Sequence, residues 1–352
     1  MWPELRVFQL SEQFRLIKKR EIRFTFLPSY ETDFIDYFHS EIAGEFNSHL
    51  DLCYHYVPPR KGIDDIDVVI LTNHGSDMYQ NIWELRRRLP EDTLIAVWFW
   101  DNHERMHNSY RTALAADIIF ASHDYTSSYL LNPASIKGMH IPSCTAQWGC
   151  KQAEEFFLCR DCIQRSNKLL LNYVDYDFSW RSNLLKEIRV SDIDAENLTM
   201  LPDDRTRYFS KGKAERFKEW LGYKTTIILP LSNDLSTRVF DALLAGLVII
   251  VPDTMPDFDK IFSASDQEKL GVVRINDFSI STIKKAHKNA IDSFDEAGEA
   301  GVQTRHKYVL ENHMLVHRIG QMLQEIRSVS SGEAEFLFSN YCQVQYGLSL
   351  IN

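Results

Sequence analysis

Apolar positions in this chain fall into short runs separated by stretches of mixed apolar and polar residues. That rhythm predicts buried parallel strands alternating with amphipathic helices. In the first half, strands are expected at Glu21–Leu27 (IRFTFL within it), Leu52–Val57, Val68–Leu71, Leu94–Trp100 and Ile118–Ala121, with a last one closed by His140-Ile141-Pro142. Helices are expected between them at about 31–50, 78–89, 108–116 and 125–131. In the 78–89 helix, Ile82, Trp83, Leu85 and Leu89 form the predicted inner side. Several strands run out into polar residues suited to chemistry: Asn73-His74, Asp101-Asn102-His103 and Ser122-His123.

The segment 144–165 breaks the rhythm and reads as a connection. Alternation resumes with a strand at Lys168–Tyr173 and helices at about 179–188 and 211–221. A strand at 272–275 and long helices at about 281–294 and 303–329 follow further on. The most informative stretch is LPLSNDLSTRVFDALLAGLVIIVPD, Leu229–Asp253. A buried strand ends at Pro230, Ser236-Thr237 stand where N-caps belong, and Gly246 stands where a helix stops. A second buried strand then closes at Pro252. Such a crossover opens a helix N-terminus at the carboxyl edge of a parallel sheet, where unpaired N–H groups and the helix dipole favour an anion. The expected fold class is α/β, with two Rossmann-like doubly wound domains facing across a cleft. The expected boundaries are 1–145 for the first domain, 146–165 for a cysteine-containing connection and 166–330 for the second domain. An aromatic tail, 331–352, is expected to pack back on the body.

Composition narrows the picture. The chain has 352 residues, 44% hydrophobic and 25% charged, which suits an ordinary globular protein with a large core. No apolar run is long enough for a membrane span and the N-terminus lacks a signal-like apolar region, so a cytoplasmic location is expected. A net charge of −10 speaks against nucleic acid or anionic lipid as the main partner, so an anionic ligand needs a local basic site. Four of the six cysteines cluster as Cys144, Cys150, Cys159 and Cys162. Their spacing leaves three readings open: free thiols, a zinc site or a disulfide.

Four segments, in order, resemble glycosyltransferases of the GT-B fold, and most nearly the group-1 type that includes spore-maturation-like proteins. DVVILTNHG, followed by LRRRLPEDTLIAVWFWDNHERMHNSYRTALAADIIFASHDYTSSYL, is similar to that family's N-terminal half. LLLNYVDYDFSWRSNLLKEI resembles the segment that opens its donor domain. STRVFDALLAGLVIIVPD resembles its S-x-R-x-F-E-A-L-A-x-G-x-x-x-I donor motif, and AGVQTRHKYVLENHMLVHRIGQML its closing helix. The resemblance covers roughly residues 65–327. There are departures. The motif carboxylate is the shorter Asp241, no glycine-rich loop is evident near the start, and no E-x7-E pair is intact, since Asn233 stands eight positions before Asp241 and Asp234 seven.

The resemblance implies sugar transfer from a nucleotide-sugar donor to a hydroxyl acceptor, such as a growing bacterial glycan. The C-terminal domain would hold the donor and no metal or other cofactor would be required. It implies donor phosphate contacts from Arg238, Ser236 and Thr237, a second clamp from Arg181, and sugar or ribose contacts from Asp241. Tyr173 and Tyr176 are alternatives for stacking on a base or packing in the core. On the acceptor side, Asp101 and His103 are candidates for the base that takes the hydroxyl proton, with His74, His123 and Asn102 beside them. Two rival readings remain: an epimerase or hydrolase of nucleotide sugars on the same fold, and a non-catalytic sugar- or nucleotide-binding protein.

Overall fold

The structure is a computed structural model that describes residues 12–14, 17, 21–27, 38–51, 53–57, 66–72, 78–104, 106–132, 135–177, 179–199, 211–331, 334–337 and 347–350. Its contacts divide it into two units, 1–143 with 316–352, and 144–315. In chain order the first unit contributes β1 (Ile22–Leu27), α1 (Phe38–His49), β2 (Tyr54–Tyr56), β3 (Val68–Thr72), α2 (Met78–Arg88), β4 (Leu94–Phe99), α3 (Met106–Ala113), β5 (Ile118–Ala121), a 3-10 turn (Asp124–Leu130) and β6 (Ile136–His140). These strands make one parallel sheet in the order β2-β1-β3-β4-β5-β6. β3 and β4 are buried at every position, as expected of strands covered on both faces.

The second unit continues with α4 (Cys150–Phe157), a 3-10 turn (Leu158–Cys162), β7 (Ser166–Leu171), α5 (Trp180–Val190), β8 (Ala195–Asn197), α6 (Lys213–Leu221) and β9 (Tyr223–Ile227). It then adds α7 (Thr237–Leu244), β10 (Val248–Pro252), α8 (Phe258–Ile261), α9 (Ala264–Leu270), β11 (Val273–Ile275) and α10 (Ile280–Asn312). Its parallel sheet runs β11-β10-β9-β7-β8. Each unit is thus Rossmann-like and doubly wound, with its strand order reversing beside its first strand: β1/β3 in one, β7/β9 in the other. The chain returns to the first unit through α11 (Leu315–Ser331), β12 (Ala334–Leu337) and β13 (Gly347–Leu350). The last two pair antiparallel, and β13 lies against β6.

Several expectations are corrected. The segment expected as a connection, 146–165, forms α4 and a 3-10 turn inside the second unit. Cys150, Ala153 and Phe157 are buried there, and Trp148 packs edge-on to Phe217 of α6 at 5.0 Å. An apolar stripe at helical spacing explains why it packs. The final helix, placed by sequence in the second domain, belongs with the first unit. The break expected between 294 and 303 is present as a non-helical kink at Gly298 (φ 55°), and a second break at His313-Met314 divides the span expected as one helix, 303–329. Thr145 and Met314 form an isolated parallel bridge, so the segments entering and leaving the second unit lie side by side. Trp83, expected to face inward, is exposed.

Candidate functional site at the edge of the second sheet

α7 is the organising element. Ser236 caps it, its hydroxyl accepting from the Arg238 amide at 3.4 Å. Val239, Phe240, Ala242, Leu243 and Leu244 are all buried, so the helix lies inside the unit and not on its surface. Its far end stops at Gly246, which takes φ 82°. A side chain there would meet Val302 Cγ1 at 2.7 Å. The last carbonyls are each held. His306 Nδ1 bonds Leu244 O, Arg165 donates to Ala245 O at 2.7 Å, and Arg305 donates to Gly246 O at 2.9 Å. Two cations at the negative end of the dipole fix the helix and aim its positive end at the carboxyl edge of the sheet.

At that edge the strand order reverses between β7 and β9, and Tyr173 bridges the two chains that leave them. Its side chain is 1% exposed. Its hydroxyl donates to Ile227 O and accepts from Leu229 N at 3.1 Å. Tyr173 is therefore a strut within the core and offers no face to a base. Its ring instead carries two guanidiniums, Arg181 at 5.0 Å and Arg238 at 4.6 Å from the centroid. Arg181, from the first turn of α5, is 5% exposed and donates to Leu229 O at 3.2 Å and Val174 O at 2.9 Å. Arg238, half-buried in the first turn of α7, donates its Nε–H to Asn172 O at 3.0 Å.

Among the described residues neither arginine makes an ion pair within 4.0 Å. Burial, and then the charge of Arg238, hold Arg181 below its ordinary pKa. Asp234 closes the turn, its Oδ1 accepting from Leu231 N at 2.8 Å, and its charge acts on Arg181 without a bond to it. Asn233 takes φ 62° in the same loop, a conformation to which asparagine is well suited. Two like charges on one ring, with no carboxylate bonded to either, make an electropositive spot at a helix N-terminus. An anion is the group that relieves it.

Asp241, expected to meet sugar or ribose hydroxyls, is 2% exposed, and its Oδ2 accepts from Gln147 Nε2 at 2.8 Å. Burial pushes its carboxyl up to about 6, against the pull of Gln147, Arg238 and Arg216. Its place one turn into a buried helix turns it away from solvent. Ser236 and Thr237 stay half-buried at the helix start. Trp180, which the sequence reading passed over, stands next to Arg181 with its indole N–H donating to Leu231 O at 2.9 Å and its ring 4.8 Å from that of Phe278. An aromatic residue between the Ser179 cap and Arg181 was the available signal.

In the first unit, Asp101, Asn102 and His103 form a tight turn after β4, with Glu104 N donating to Asp101 O at 3.2 Å. Asn102 is buried and its amide is engaged at both ends. Oδ1 accepts from His123 N, and Nδ2 donates to His123 O and Thr126 Oγ1, each at 3.0 Å. It is a clamp between the loops after β4 and β5, which leaves it no role as a direct acceptor contact. The clamp brings the rings of His103 and His123 to 4.1 Å, with His103 Nε2 3.6 Å from Glu104 Oε1. Asp101 is half-buried beside them in sequence. His74 lies outside the described residues.

The zinc reading of Cys144, Cys150, Cys159 and Cys162 is not supported by their placement. The first two are buried and the last is exposed, none of the four is in a disulfide, and no metal-holding group of His, Cys, Asp or Glu occurs among the described residues. His306 stacks on Phe157 at 3.6 Å, and His313 sits among Phe240, Phe262 and Tyr308. No helix among the described residues is long and apolar enough to cross a membrane.

No protein-family model and no curated sequence matches the chain. Among solved structures it is similar to the catalytic domain of starch synthase IV from Arabidopsis thaliana bound to ADP and acarbose, at 11% identity and TM-score 0.45, over 78% of this chain and 74% of that one. It is also similar to sucrose-phosphate synthase from Thermosynechococcus elongatus, at 10% identity and TM-score 0.46, over 76% and 74%. A GtfA/B complex is a third such structure, at 14% identity and TM-score 0.40, over 77% and 59%. At this level of likeness no residue is matched to a counterpart in those proteins.

Proposed function

We propose that the chain is a glycosyltransferase that moves a sugar from a nucleotide-sugar donor to a hydroxyl acceptor, with a growing bacterial glycan as the acceptor class. The observation that carries this reading is the pair of guanidiniums, Arg181 and Arg238, on the ring of Tyr173 at the start of α7. When the bond between the sugar's anomeric carbon and the diphosphate oxygen breaks, its electron pair stays with that oxygen, so negative charge grows on the departing phosphate while the acceptor hydroxyl bonds to the carbon. Fixed positive charge in a partly buried site stabilises that charge more in the transition state than in the ground state. Arg238 is the half-exposed member and takes the direct contact. Arg181, buried and bonded to two carbonyls, holds the ring and adds its field. With these charges and the helix dipole in place, the reading needs no metal.

The acceptor proton is assigned to Asp101 or His103, at the carboxyl edge of the first sheet. Phosphate contacts are assigned to the hydroxyl and amide groups of Ser236 and Thr237. The motif resemblance supports sugar transfer over epimerisation or hydrolysis. The inward turn of Asp241 favours one further alternative, a protein that binds the nucleotide without transferring from it. A thermal-shift screen against nucleotides and nucleotide sugars tests the reading, because a ligand that binds only the folded state raises the melting temperature. A shift with nucleoside diphosphates and their sugars is expected. Release of free nucleoside diphosphate only when a glycan acceptor is added separates transfer from hydrolysis, and no release under any condition selects the binding protein.

A further inference from the structure

Tyr173 and Tyr176 were the aromatic candidates for a nucleobase, and the first is consumed by the core. Among the described residues of the second unit, the exposed large aromatic side chain is Trp180, with 39% of its surface open. Its polar atom is already satisfied by Leu231 O, so the part left to solvent is an apolar ring surface. The ring is braced by Phe278 and fixed at the first position of α5, which spares a ligand the entropy of ordering it. Trp180 is the chain neighbour of Arg181. Its bonding partner Leu231 follows Leu229, the residue whose carbonyl Arg181 holds and whose amide bonds Tyr173. Indole, guanidinium pair and helix start therefore belong to one rim, where the loops after β7 and β9 meet.

We propose that the exposed face of Trp180 is the platform on which the donor's nucleobase stacks, making Trp180 a binding residue of the nucleotide site. This rests on the reading of that site as one for a nucleoside diphosphate. A rigid indole with its N–H occupied recognises a flat π-face and not a hydrogen-bonding pattern. The platform therefore accepts purine and pyrimidine alike, and any choice of base is left to other groups.

The test is calorimetric titration of the full chain with UDP, ADP, GDP and inorganic pyrophosphate. Trp180→Ala is expected to weaken whichever nucleotides bind by roughly tenfold or more, and to leave pyrophosphate unchanged. Trp180→Phe keeps a ring but loses the bond to Leu231, and is expected to retain most of the nucleotide affinity. Unchanged nucleotide affinity in Trp180→Ala overturns the platform, as does an equal loss for pyrophosphate, which would mark a structural role. A loss in Trp180→Phe as large as that in Trp180→Ala overturns it too. In each of those cases a pyrophosphate affinity that Arg238→Ala removes keeps the phosphate site standing. A wild-type chain that binds neither pyrophosphate nor any nucleotide overturns both readings together.

Discussion

Replacing Asp241 by asparagine should stabilise the protein at neutral pH, although it removes a charge that two arginines attract. Burial holds this carboxyl at about 6 against an ordinary 3.8. The folded state therefore binds its proton more tightly than the unfolded chain does. For a carboxyl shifted in this direction, stability is fully present below the unfolded value and is lost as pH rises through the folded one. A shift of about two units at about 1.4 kcal/mol each makes the ionised form cost the fold about 3 kcal/mol above pH 7. Asparagine is neutral throughout and still presents an oxygen to Gln147 Nε2. Urea unfolding across about pH 4.5–7.5 measures the difference. The advantage of Asp241→Asn should be about 1 kcal/mol at the acid end and about 3 kcal/mol at the neutral end. Phosphate or nucleotide affinity should not fall, because Arg238 loses a nearby negative charge. An advantage independent of pH, or an asparagine variant less stable at neutral pH, would refute the reasoning. The ionised Asp241 would then be supporting the fold through Arg238 and Arg216.

Further outcomes follow from the same contacts. Gly246→Ala forces a left-handed φ on an L-residue and drives a methyl against Val302. It should cost about 2 kcal/mol or more, read as a lowered melting temperature, and a cost near zero would mean that the turn relaxes. Burial pushes the His306 imidazole down to about 4. Its contribution is present above the ordinary histidine value and is lost as pH falls towards 4, so its ring resonances should not move above about pH 5. A midpoint near the ordinary value would contradict the packing. Glu325 of α11 accepts from Met139 N through both oxygens, and burial raises its carboxyl to about 7. Glu325→Gln should therefore gain about 3 kcal/mol above pH 7 and less than about 1 kcal/mol below pH 5, in the same unfolding assay.

The apolar rhythm made both sheets legible. β4, β5 and β10 lie where short buried runs stand, and Ser236 and Gly246 bound α7 as their residue types imply. What was hidden has physical reasons. Parallel strands buried on both faces announce themselves by composition, whereas α4 declares only a narrow stripe around Cys150, Ala153 and Phe157, between loops that resemble a linker. The clamp role of Asn102 depends on His123 and Thr126, which lie far along the chain. Tyr173 reads equally as a stacking ring or a core ring until its hydroxyl is seen to bridge β7 and β9. The turn of Asp241 towards Gln147 could not be foreseen, because periodicity does not say which side of a helix buried on all sides meets solvent.

The central claim is that Arg238, backed by Arg181 on Tyr173, binds the diphosphate of a nucleotide donor at the start of α7. Calorimetric titration of wild type and Arg238→Ala with a nucleoside diphosphate identified by the thermal-shift screen tests it most directly. Loss of one charge-assisted phosphate contact is worth about 1.5–3 kcal/mol, so affinity should fall at least about tenfold while the unfolding transition stays in place. Equal affinity in the two proteins would contradict the account.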